Sequence, residues 1–308
     1  MFNWLKGKFS RGEEAADRLH NAVRLDNIAK AQMLLAEGAN VNAINPTGKT
    51  PLCLAAERGY QGMCGLLLAY QADPSIANAH GDTPLHLAVA TGRHELVALL
   101  LPHTKKVDLA DDAGRTPLHL AADIGDAETC KQLIDKGADV NAVDKEGDTP
   151  LFYANRAAAE VLVAHGADIH RTNRSGETIL HLTTVEMARY LIELGLDVNI
   201  RDSKQWTPLH FASAELSELL IEHGADINAR DRYDWTPLHF AANSGDEKKA
   251  RLLIEKGADP TLEDRYRNTP MAVAANTGHG ALAQWLEDVM GMRATQAQMP
   301  VTSDSSEQ

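Results

Sequence analysis

The phrase Thr-Pro-Leu recurs along this chain at Thr50, Thr83, Thr116, Thr149, Thr207 and Thr236, with Thr178-Ile-Leu and Thr269-Pro-Met as variants. In chain order these threonines stand 33, 33, 33, 29, 29, 29 and 33 residues apart. A period of this size restricts the fold more than any other feature does. One such unit cannot bury its own apolar face, so the units must stack and draw their stability from the interfaces between neighbours.

The letters inside a unit say how it folds. A threonine oxygen can accept an orphan backbone N–H, and proline suits the first helical position, where no N–H is needed. Thr-Pro therefore predicts a helix start. Leu118, Ala121 and Ala122 then give a short helix with a small-residue face. A second helix follows at apolar spacing, as in Leu96, Leu99 and Leu100, or Ala250, Leu253 and Ile254. It should close on Gly38, Gly137, Gly166, Gly195, Gly224 or Gly257, because glycine supplies the left-handed backbone of a helix end. Gln71 and Thr104 hold the matching places in two units, whose helix ends should be strained or differently closed. Turns such as Asp111-Asp-Ala-Gly114 and Asp144-Lys-Glu-Gly147 predict loops that project and return to the next Thr-Pro.

The period, together with Thr-Pro-Leu-His-x-Ala completed by His86, His119, His181, His210 and His239, resembles the ankyrin repeat. Cys53, Phe152 and Ala272 replace the histidine elsewhere. The resemblance runs from about Ala15 to Met290. It implies an all-α solenoid of about nine helix-turn-helix units with projecting loops, starting near residues 15, 45, 78, 111, 144, 173, 202, 231 and 264. The first unit is degenerate, with Asp17 where Thr50 leads the next, and reads as a cap. The last, from Thr269 through Trp285 and Leu286, reads as the other. Residues 1–14 form an amphipathic segment, and residues 291–308, without apolar period, are expected to be disordered.

Three central units have only 29 residues. Aligned on Gly166, Gly195 and Gly224, they lack four residues at the turn between the helices, close to one helical turn. Shorter helices and a local change of curvature are expected from about Thr149 to Gly224.

Charge and cysteine content narrow the function. The formal net charge of -13 opposes a broad phosphate-backbone surface, so no nucleic-acid partner is expected. Cys53, Cys64 and Cys130 have neither disulfide nor zinc spacing, which points to a reducing compartment. No signal-peptide run or bilayer-length apolar stretch stands in the sequence, and a cytoplasmic monomer is expected. Phe2, Leu5 and Phe9, with Lys6, Lys8 and Arg11, could cover the first repeat's edge, serve as a targeting tag or touch a membrane surface. The histidines recur once per unit without a recurring carboxylate or thiol, so they read as structural bridges between units. With no phosphate-cradling loop, nucleophile elbow or zinc-helix motif, no metal, cofactor or catalytic residue is assigned.

The resemblance implies a protein partner held on the concave face and loops. The late loops concentrate the residue types that dominate binding hot spots: Lys204 and Trp206; Arg230, Arg232, Tyr233 and Trp235; Arg265 and Tyr266. These eight are the candidate partner-binding residues, and their positive charge, with that of Arg201, suits an acidic or phosphorylated segment. The competing reading is that Trp206 and Trp235 pack flat on each other and on the tyrosines, stiffening loops in which Gln205, Asp234 and Arg267 replace glycine. Function is expected to be that of a non-enzymatic scaffold or adaptor. The alternative is a regulatory or inhibitory subunit or a secreted effector acting on an enzyme; an unrecognised hydrolase would need a cleft of perturbed titratable groups.

Overall fold

The computed structural model describes residues 15–297, and among these every regular element is a helix. The amphipathic segment 1–14 and residues 298–308 lie outside the described residues. Each Thr of the repeated phrase is an N-cap, and wherever Pro follows it occupies the first helical turn. The first helices of the longer units are Pro51–Arg58, Pro84–Ala90, Pro117–Asp123, Pro237–Ser244 and Pro270–Asn276. Their leucines, among them Leu52, Leu85 and Leu118, are buried, as are Leu67, Leu100 and Leu133 of the second helices. Each such side chain contributes about 1.5–3 kcal/mol relative to exposure.

The short units differ in a definite way. Their first helices shrink to Pro150–Tyr153, the 3-10 turn Ile179–His181, and Pro208–Phe211. Their second helices, Arg156–Ala164, Val185–Glu193 and Ala214–Glu222, keep the nine residues of Gln61–Ala69 and Glu247–Glu255. The expectation of shorter helices thus holds for the first helix of each pair alone. The second helix carries the apolar stripe that joins neighbouring units, so losing a turn there would open the core.

Helix ends follow the backbone requirement read from the sequence. Gly38, Gly137, Gly166, Gly195, Gly224 and Gly257 all have positive φ. Gln71 adopts the same left-handed geometry at φ 64°, a strained choice for a residue with a Cβ. Thr104 instead follows the 3-10 turn Leu101–His103 in an extended conformation. The final helix, Gly280–Ala297, continues past Gly291, so residues 291–297 are helical where the absence of apolar period suggested disorder.

The chain divides into two compact units, one ending at Arg174 and the other beginning at Ser175. In each, successive loops are joined by backbone hydrogen bonds. In the first, Asp112 donates to His80 at 3.0 Å, Lys145 to Ala113 at 2.9 Å and Arg174 to Glu146 at 2.9 Å. In the second, Ser203 donates to Ser175 at 3.0 Å, Arg232 to Lys204 at 3.4 Å and Arg265 to Tyr233 at 3.1 Å. The longest of these lies beside Gln205, which stands where other loops have glycine. At the equivalent Gly176 an added Cβ would lie 2.8 Å from the Ser203 nitrogen, so the loop spacing has to give.

Candidate functional site

The late loops are built on buried aspartates. One carboxylate oxygen of Asp202 accepts the amides of Lys204 and Trp206, both at 2.8 Å, which folds the loop back toward its helix. Asp231 does the same for Tyr233 and Trp235, and Asp264 for Tyr266 and Asn268. In Asp231 and Asp264 the second oxygen reaches across to the preceding unit. The Trp206 indole donates to Asp231 at 2.8 Å, and the Trp235 indole to Asp264 at 3.0 Å. Burial alone would raise the Asp264 carboxyl, but hydrogen bonds from Asn268, Tyr266 and the Trp235 indole outweigh it and hold the group below its ordinary range.

Both indoles are therefore half-buried, each tied to its own loop and the next. Nor do they form the flat stack of the competing reading. Phe240 stands edge-on to both, at 5.7 Å from Trp206 and 5.4 Å from Trp235. Phe211 joins the group edge-on, 4.8 Å from Trp206 and 5.1 Å from Phe240, and Trp235 stacks near His239. Edge-on aromatic pairs contribute about 0.5–1.5 kcal/mol beyond area burial. Phe211 and Phe240 were missed as candidates. The signal was present: Trp-Thr-Pro-Leu-His-Phe-Ala stands twice, at 206–212 and 235–241.

The remaining candidates surround these rings on adjacent loops. Lys204 places its ammonium 4.2 Å from the Trp206 ring centre, and the Arg265 guanidinium lies 4.7 Å from that of Tyr233. Tyr233 and Tyr266 are exposed. The arginines brace one loop to the next. Arg232 donates to the Ser203 carbonyl at 2.6 Å, Arg230 to that of Glu263 at 3.3 Å, and Arg265 to that of Arg232. Their charges remain at the surface, yet the guanidinium donors are partly committed, which spacing alone could not reveal.

The recurrent histidines are structural bridges, as the sequence indicated. Nδ1 of His210 accepts the Thr207 amide at 3.0 Å, and its Nε2–H donates to the Trp235 carbonyl at 3.3 Å. His239 does likewise with Thr236 and Asn268, and His86 and His119 repeat the pattern in the first unit. A carbonyl can only accept, so the neutral Nε2–H tautomer is assigned and both ring nitrogens are engaged. Burial pushes His210 down to about 4, overcoming the opposing pull of its bond to Trp235. Among the described residues no group of three or more His, Cys, Asp or Glu is placed to hold a metal ion.

This architecture agrees with a sequence comparison. A family model described as ankyrin repeats (3 copies) matches residues 19–111, 103–173, 155–231 and 213–291. The chain belongs to the ankyrin-repeat family. A search of curated proteins gives no match. Ankyrin repeats are generally protein–protein interaction modules, and in this array the aromatic and basic side chains gather on the loops and first helices of residues 201–268. An open recess elsewhere in the ankyrin array, lined by Asp17, His20, Arg24, Lys49 and Glu57, mixes charges and has no aromatic anchor. No helix among the described residues is long and apolar enough to cross a membrane.

Proposed function

We propose that this ankyrin-repeat protein is a non-enzymatic scaffold or adaptor. Its protein partner sits on the loops and first helices between Arg201 and Asn268. The observation that carries the reading is the half-exposed ring group Trp206, Phe211, Trp235 and Phe240 beside Lys204 and the loop arginines. Large aromatic area next to charge-assisted donors is the composition of binding hot spots. In a chain of formal net charge -13, a locally basic loop row favours an acidic contacting segment. The three cysteines are buried and unpaired, in keeping with action in the reducing cytoplasm.

Affinity capture tests the reading, with the wild type beside two variants. Trp206→Ala/Trp235→Ala removes the anchors, and its melting must be compared because both indoles carry hydrogen bonds. Lys204→Glu/Tyr266→Ala alters only exposed side chains. A partner bound by the wild type and weakened at least tenfold by both variants is the expected result. A partner held equally by all three overturns the assignment of this face.

A further inference from the structure

The missing turn leaves a mark on the surface of the second unit. In the five longer repeats the fourth residue after the capping Thr is never left open: Leu54 is 8% exposed, Leu120 7% and Val273 5%, while Leu87 and Phe240 are half-buried. In the units at Thr178 and Thr207 the first helix stops after a single turn, and the equivalent Leu182 and Phe211 are 56% and 48% exposed. Two large apolar side chains in adjacent units thus stand open where a helical turn would lie. On one side the full-length helix Pro237–Ser244 brings Phe240 to 5.1 Å from Phe211. On another stands Trp206, 4.8 Å from Phe211, with Lys204 over its ring. The loop tips at 201–206, 230–235 and 263–268 expose Arg201, Lys204, Arg230, Arg232, Arg265 and Arg267; of their acids that are not buried, Glu263 is exposed and Asp234 is half-buried, 3.6 Å from Arg230.

We infer that the lost turn forms a recess, floored by Leu182 and Phe211, that receives a leucine or aromatic side chain from an acidic, extended segment of another protein. The inference rests on the proposed binding function and adds to it the place and chemistry of one anchor. An apolar floor is covered when an apolar side chain enters it. The basic loop tips select a segment whose flanking residues are Asp or Glu, since like charges against them would be repelled.

Selection from a displayed library of random peptides on the full chain tests this without a known partner. Enriched peptides are then measured individually by fluorescence anisotropy. The expected peptides carry Asp or Glu around one Leu, Phe or Trp. They lose at least tenfold in affinity for Leu182→Ser/Phe211→Ser; Leu182→Ser alone, outside the ring group, serves where the Phe211 change lowers stability. No enrichment, enrichment of non-acidic peptides, or equal binding to these variants overturns the recess. Peptides indifferent to them but lost with Lys204→Glu/Tyr266→Ala overturn the recess while leaving the binding face in place. If only a chain ending at residue 297 binds, the segment 298–308 with Asp304 and Glu307 is the occupant. If the wild type self-associates and Leu182→Ser does not, a second copy is. Either result overturns the inference.

Discussion

His210 shows how one side chain couples neighbouring repeats. It caps its own helix by accepting the Thr207 amide at Nδ1, a bond that requires the neutral ring, and holds the next loop by donating from Nε2–H to the Trp235 carbonyl. The unfolded chain takes up this proton near 6.5, whereas burial delays it in the fold to about 4. Between those values the unfolded chain binds more protons, so the contribution is fully present above about pH 6.5 and is lost as pH falls toward 4. For His210 the loss amounts to about 3 kcal/mol, taking 1.36 kcal/mol per pKa unit. Burial likewise lowers His86, His119 and His239. Urea denaturation at a series of pH values should show stability falling through this window, with a shallower slope for His210→Asn. Equal slopes would show that the histidine does not titrate in this way. The Thr and Gly signals were legible because each answers a need of its own backbone. The Trp206 bond to Asp231 was not, since the partner lies 25 residues away and meets it only after stacking.

Among the elements, the shortened first helix of the Thr207 unit has a specific repair. Having lost a turn, Pro208–Phe211 leaves the His210 carbonyl without the usual donor four residues on. Lys249, from the second helix of the next unit, supplies it at 2.9 Å from a buried ammonium. Burial pushes that lysine down to about 8, against the attraction of Asp246. Lys249→Ala should cost about 1–3 kcal/mol by leaving a buried carbonyl unpaired. Inserting Ala-Asn-Ser-Gly between Ala212 and Ser213 copies the turn of the Thr236 unit and restores an internal donor. In that background the Lys249→Ala cost should shrink, and thermal denaturation of the four proteins measures the coupling; an unchanged cost would show that the lysine has another role. The spacing of 29 placed the deletion between the helices but could not say which would shorten. That choice depends on which helix carries the inter-unit core, a property of packing. The recess over Leu182 and Phe211 follows from the same choice.

For the molecule as a whole, the repeat period and all-helical stacking could be read from the chain because every unit restates the same local rules. The proposed binding face was legible only as a composition of late loops. Its geometry depends on Phe240 standing between two indoles and on arginines serving first as struts between loops. This division sets what a partner would find: stiff, partly buried rings with basic charge around them, in a chain that is otherwise acidic. A preformed face of this kind loses little freedom on binding. Hydrogen exchange on the full chain, free and with its captured partner, tests the central claim most directly. The account expects new protection at residues 201–211, 230–240 and 263–268, with the loops at 45–49 and 78–82 unchanged. Protection confined to those early loops, or absent from 201–268, would contradict it.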